Sequence, residues 1–267
     1  MKNMLKRIQL IGFLLLAVCL WRCSSAVKEE NSDADKVVVK GKVWNRDGRT
    51  LYMHLLSVDT TGNGGAEYVG VSNGVIEEGN FTLKYASEDA DPQFYRIGFG
   101  EKNSITTVAR RGEELTFTFS NPDTLCRNYK VKGGKDAQLM WELDQRLSRF
   151  IDSAEHLTLW YEYSDDDSSH VLINNAYTLI KGHHRDFLMN FIAQNPCSIT
   201  TISAFYQQYQ MGTFFDEVAD LALLEKIYAN LKKQYPHNGN VRWLAKRIAF
   251  IYENINNQQD NKENNPL

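Results

Sequence analysis

YKVKGGKDAQLMWELDQRLSRF, residues 129–150, changes its period at Gly133-Gly134. Before the glycine pair lies the last of a series of short strand-like segments. After it, Leu139, Leu143, Leu147 and Phe150 recur about every four residues and mark one helical stripe. The chain therefore divides into a β half, residues 37–133, and a helical half, residues 134–255.

Upstream, VVVKGKVWN and TLYMHLLSV flank Arg46-Asp47-Gly48-Arg49, an Asp-Gly hairpin signal. NGVIEEGNFTLKYA supplies another turn and then alternation at Phe81, Leu83 and Tyr85. QFYRIGFG offers Phe94, Ile97 and Phe99 as inward positions. SITTVARRGEELTFTFS reads as a hairpin through Arg111-Gly112, with Leu115, Phe117 and Phe119 on one face, and RNYKVKG closes the set. About eight short strands at this spacing predict an antiparallel β-sandwich or barrel.

Downstream, Leu172, Ala176, Leu179, His183, Phe187 and Phe191 form a second helical stripe, stopped by Asn195-Pro196. Ser198 can cap a third helix carrying Ile202, Phe205, Tyr206 and Tyr209. Leu221, Leu224, Tyr228 and Leu231 make a fourth stripe. Val241, Leu244, Ile248, Ile251 and Ile255 make the last. The expected class is thus α+β, with a C-terminal segment of about five helices. NNQQDNKENNPL, residues 256–267, has no apolar face and predicts disorder.

The chain starts with Lys2, Lys6 and Arg7, then runs apolar from Ile8 to Leu20 apart from Gln9. A basic start before a short apolar run is a secretory signal, and the run is too short to span a bilayer. Residues 1–22 are read as that signal and 23–36 as a polar tether. Removing the first 22 residues removes four basic and no acidic residues, so the net charge moves from −3 to −7. That balance argues against nucleic acid as a partner.

The handover LLLAVCLWRCSS resembles a bacterial lipoprotein signal, which implies acylation of Cys23, with Cys19 as the alternative acceptor. Lys28-Glu29-Glu30 resembles the signal that sends some lipoproteins to the cell surface. The order of parts is similar to envelope lipoproteins of the Bacteroidota that begin with a β domain of unknown function. In those proteins a helical segment follows, then a thioredoxin-like domain of the AhpC/TSA type. The residues that carry the likeness are VVVKGKVWNRDGRTLYMHLL, GVIEEGNFTLKY and VARRGEELTFTF in the β half. FLMNFIAQNPCSITTISAFYQQY and LKKQYPHNGNVRWLAKRI carry it in the helical half. The resemblance implies a lipid-anchored envelope protein, at the outer membrane with either face open. The family's Cys-x-x-Cys pair is absent from this sequence, so its dithiol chemistry does not carry over.

Other candidate chemistry is sparse. Cys126 and Cys197 could form a disulfide in an oxidising compartment or remain buried thiols. His183-His184 with Asp186 and His170 lacks the spacing of a helical metal pair. Asp165-Asp166-Asp167 lacks the glycine and distant glutamate of a calcium loop. Glu113-Glu114 reads as a charged strand edge, and GNGG at 62–65 as a flexible loop. Trp44, Tyr52, Tyr68, Phe94 and Tyr95 could stack on sugars, although strand aromatics are ordinarily core. HLTLWYEY, residues 156–163, could line the contact between the two halves or stay exposed for a partner, and the first is the favoured expectation. No cofactor, metal or catalytic set is assigned. The leading expectation is a non-catalytic binding or accessory module of the envelope. The alternatives are a thiol-disulfide system component working with a thioredoxin-like protein, and a glycan binder. Mass spectrometry of the mature N-terminus should find an acylated Cys23; an unmodified peptide spanning Arg22-Cys23-Ser24 would refute the lipid.

Overall fold

The computed structural model describes residues 33–58, 65–121, 123–210 and 212–264. Ala34–Leu267 form one compact unit. Its first part has strands β1 (Lys36–Val43), β2 (Thr50–Val58), β3 (Ala66–Val75), β4 (Asn80–Ala86), β5 (Gln93–Gly100), β6 (Asn103–Ala109), β7 (Glu114–Phe119) and β8 (Tyr129–Lys132). They form two open four-stranded sheets, ordered β4-β1-β7-β8 and β3-β2-β5-β6. The architecture is a sandwich and not a closed barrel. Val37, Val39, Leu51, Met53, Leu83, Tyr95, Ile97, Leu115, Phe117 and Phe119 fill the space between the sheets.

β1 runs parallel to β7, and the other pairings of both sheets are antiparallel. The expected hairpins at Arg46–Arg49 and Arg111-Gly112 are corrected by this topology. Both turns carry the chain from one sheet to the other, because β1 never pairs with β2, nor β6 with β7. The Asp-Gly signal gives the reversal but not the partner. Here Gly48 takes φ 77° and donates to the Ile76 carbonyl, while Asp47 accepts from the Gly79 amide at 2.6 Å. The turn is therefore docked on the β3–β4 connection.

The second part contains α1 (Lys135–Tyr163), α2 (Asp167–Gln194), α3 (Thr200–Phe205), the short pair β9 (Gln208–Tyr209) and β10 (Gly212–Thr213), α4 (Leu221–Gln234) and α5 (Gly239–Asn264). Asp166 caps α2 by accepting from the Ser169 amide at 2.8 Å. The helices form a third layer on the outer face of the β3-β2-β5-β6 sheet. Phe94 and Val108 leave that face to join Leu143, Leu188, Phe205, Leu224 and Leu244 in a second core. Phe94 thus packs against helices, on the opposite side of β5 from Tyr95 and Ile97. Among the described residues, no helix is long and apolar enough to cross a membrane.

Polar contacts fix the layers in register. Arg110, just after β6, donates to Asp136 of α1 at 3.1 Å and to the Tyr235 hydroxyl at 2.5 Å. Ser198 donates to the other Asp136 oxygen at 2.6 Å. Trp141 donates to the Tyr129 carbonyl at 2.7 Å.

Three further expectations change. On α2 the buried line is Ile173, His184, Leu188 and Phe191, whereas Leu172 and Leu179 are exposed. The true stripe lies one residue over, because α2 carries apolar residues on more than one face. In HLTLWYEY, Leu159, Trp160, Tyr161 and Tyr163 are exposed on the last turns of α1 rather than lining the layer contact. The polar tail to Asn264 continues α5 as helix. Propagating an existing helix adds one hydrogen bond per residue fixed, so no apolar face is required.

Phe94→Ala should cost about 3–5 kcal/mol in chemical denaturation, because it empties the contact between layers. Trp44→Ala, at a residue 70% exposed, should stay within about 0.5 kcal/mol. Equal effects would refute this assignment of the layers.

Candidate functional site

A groove of about 870 Å³ lies between the end of α3, the β9–β10 pair, the loop before α4, and α5. α5 has two faces that decide its place. Leu244, Ile248 and Ile251 are buried in the second core, while Trp243, Arg247 and Phe250, at helical spacing, line the groove. Tyr206 meets Trp243 edge to face with ring centroids 5.6 Å apart. Phe215 stacks on Phe205 at 5.2 Å. The Arg247 guanidinium lies 5.3 Å from the Phe250 ring centre, and Phe250 is 48% exposed.

One ion pair crosses the groove. Arg247 Nε donates to Glu217 Oε1 at 2.8 Å and Nη2 to Oε2 at 2.5 Å, and the Tyr206 hydroxyl donates to Oε1 at 2.8 Å. The Arg247 hydrogen bonds hold the Glu217 carboxyl below its ordinary range against the opposing effect of burial. Burial and the Glu217 carboxylate push the Tyr206 hydroxyl well up. Neither group is poised to exchange a proton near neutrality. Asp216, on the same wall, accepts from the Val218 and Ala219 amides at 2.9 and 2.8 Å and so shapes its own loop. That loop is tied to α2 by the Arg185–Asp220 fork at 3.1 and 2.6 Å. The result is a preformed groove with aromatic walls and internally neutralised charge.

The residues singled out from sequence lie elsewhere. Cys23 is outside the described residues, as are Cys19 and 62–64 of the glycine-rich loop. Cys126 and Cys197 are exposed free thiols, which corrects both the disulfide and the buried-thiol readings. The Asp144 carboxylate acts on the Cys126 thiol, and Cys197 lines a pocket with Asp136. Burial and then the Asp144 carboxylate raise the Cys126 thiol, the opposite of a reactive thiolate.

His184, not His183, is the packing histidine. Its Nε2 donates to Gln207 Oε1 at 2.6 Å, its ring sits 4.3 Å from Phe214, and burial lowers its pKa. His183 lines a separate cleft with Arg146, Arg149 and Asp186. Among the described residues no three His, Cys, Asp or Glu side chains gather as metal ligands. Asp166 serves as the α2 cap, and Glu114 pairs with Lys40 at 2.6 Å. Of the five β-half rings, Phe94 and Tyr95 are buried and Tyr68 carries Arg96 at 4.1 Å over its face. Tyr52 and Trp44 are exposed, with Tyr52 tilted 42° to His54, so the five rings form no flat row. Comparison with protein-family models, curated proteins and solved structures finds no match.

A strongly displaced carboxyl belongs to Asp144. Packed between α1 and β8, it accepts from the Tyr129 hydroxyl at 2.7 Å, and burial pushes it up to about 7 against that hydrogen bond. An unfolded aspartate titrates near ~3.9. Asp144 therefore contributes stability that is complete below about pH 4 and lost as pH rises through about 7. Asp144→Asn keeps an acceptor for Tyr129 but removes the titration. Its unfolding midpoint should fall less than wild type between about pH 4 and pH 8, and superimposable pH profiles would refute the shift.

Proposed function

We propose that this chain is a non-catalytic, membrane-anchored binding module of the cell envelope, tethered through Cys23, whose α3–α5 groove receives its partner. The observation that carries the reading is the groove itself. Its walls are aromatic, and Glu217 and Arg247 already satisfy each other. A charged ligand that engaged Glu217 or Arg247 would break that pair and leave a charge behind, at a cost. A segment of an envelope protein presenting an apolar or aromatic side chain would bury ring surface between Trp243 and Phe250 and leave the pair intact. The glycan reading has less support, since only Trp44 and Tyr52 of the β-half rings stand exposed and Tyr68 is engaged by Arg96.

The test is a photo-crosslinking residue at Phe250 in the full chain in cells. It should capture one dominant envelope protein, and Trp243→Ala should reduce that capture about tenfold or more without changing thermal stability by more than a few degrees. Equal capture of the same protein by a probe at Trp44 would rule the groove out. Capture of a thioredoxin-like protein would favour the thiol-disulfide alternative.

A further inference from the structure

Among the described residues, no other layer covers the outer face of the β4-β1-β7-β8 sheet, where Lys42, Thr82, Lys84, Thr118, Lys130 and Lys132 are exposed. Residues at even positions along its strands point away from the sandwich core. On β1 these are Lys36, Val38, Lys40 and Lys42; on β8, Lys130 and Lys132; and on β4, Lys84 beside Thr82. β7 contributes Thr116, Thr118 and Glu114. The register brings them side by side: Lys40 lies between Thr82 and Thr116, Lys42 lies beside Thr118, and Thr116 and Thr118 face Lys132 and Lys130. Six lysines and one glutamate thus share one face of a protein whose charge beyond residue 22 is −7; Lys40 is paired with Glu114 at 2.6 Å, Lys36 and Lys84 each have a contact of their own, and Lys42, Lys130 and Lys132 carry the proposal. Lysines that only guard sheet edges belong on edge strands. Three of these lie on β1, which is paired on both sides.

We propose that this face is a docking surface for the anionic phospholipid headgroups of a bilayer. Four strands at ~4.8 Å spacing, and the length of β1, spread the ammonium groups over roughly 15 by 20 Å. They do not converge on a point, so they match a plane of phosphates better than a single bound ion. Threonine hydroxyls between them supply hydrogen-bond donors for phosphate oxygens. A protein partner fits less well, because lysine is depleted from the cores of protein interfaces and the face offers no exposed apolar anchor. The choice of a membrane over a soluble anion rests on the anchored reading. β1 follows Cys23 after residues 24–35, a reach of at most about 40 Å. Docking would lay the lysine sheet on the bilayer and leave the helical layer, on the far side of the sandwich, turned away from it.

The experiment uses residues 24–267, which contain the whole compact unit and lack Cys23, so its result is independent of acylation. At low salt this chain should co-sediment about tenfold or more strongly with vesicles containing one-third phosphatidylglycerol than with phosphatidylcholine alone. About 1 M salt should release it, since screening then acts within ~3 Å. Lys42→Glu/Lys130→Glu/Lys132→Glu should abolish the preference with unchanged thermal stability, while Lys181→Glu/Lys233→Glu, on α2 and α4, should retain it. Equal binding to both vesicles, or equal loss in both variants, would overturn the proposal. Binding to a soluble acidic polysaccharide such as polygalacturonate, with none to the vesicles, would overturn it in favour of a polymer ligand.

Discussion

The architecture depends on β5 being buried from both sides. Tyr95 and Ile97 point into the sandwich, and Phe94 points into the helical layer. A strand with one wet face can sit anywhere that covers its other face. A strand with two apolar faces must be central and covered twice. β5 is therefore an inner strand, with β2 and β6 on either side, and the helices must come to this sheet rather than to the lysine-faced one. Val108 on β6 extends the outer apolar strip, and Leu143 of α1 completes it. The distribution of polarity between the two sheets thus chooses the layer order before any specific hydrogen bond is made.

Hydrophobic contact between layers is non-directional, and polar pairs set the register. Asp136 gathers Arg110 from the sandwich and Ser198 from the connection between α2 and α3, and Arg110 also reaches Tyr235 at the end of α4. Three segments far apart in sequence therefore meet at one carboxylate, and Arg110 ties in a fourth. Ion pairs of this kind contribute little net stability once desolvation is counted. Breaking one partner leaves an unsatisfied charge, which penalises misdocked arrangements. The Arg185–Asp220 and Arg247–Glu217 forks do the same for the loop that walls the groove.

Much of the fold was legible because period reports burial. The change at Gly133-Gly134 falls at the boundary between β8 and α1; the α5 stripe is buried from Val241 to Ile251, and those of α1 and α4 are buried in part, at Leu143 and Phe150 and at Leu224 and Leu231, beside the unforeseen Met140 and Ile227. Where several registers were apolar, period alone failed. Leu172-x-x-x-Ala176-x-x-Leu179 has good helical spacing, yet its neighbours Ile173 and His184 face the core. Turn chemistry at Asp47-Gly48 was real, but the local sequence could not say which sheet the next strand joins. The groove was not foreseen. Its side chains come from α3, a loop and the outer face of α5, and no short motif links Tyr206, Glu217, Arg247 and Phe250. A second stripe on α5, Trp243, Arg247 and Phe250, was its one local signal, hidden beneath the stronger line of Leu244, Ile248 and Ile251.

The uncovered stripe of α2 also shows where the molecule is least supported. Near Phe150, α1 and α2 pack on each other and on Phe214 of the groove loop, so each helix has a second partner. Toward the connection at Ser164–Asp166 the seam narrows to Ala154, Ile173 and the stacked pair Tyr161 and His170, with ring centroids 4.0 Å apart. Leu159, Trp160, Leu172 and Leu179 are exposed there. Local stability follows the number of buried apolar contacts, so this end of the hairpin rests on Ala154, Ile173, the aromatic stack, the His170 ring bonded to the Ser164 carbonyl and helix capping by Asp166. The groove lies at the opposite condition, walled by a loop that three charged pairs or caps immobilise. Rigidity is concentrated where a ligand would need a preformed shape, because ordering a mobile wall on binding would subtract from affinity.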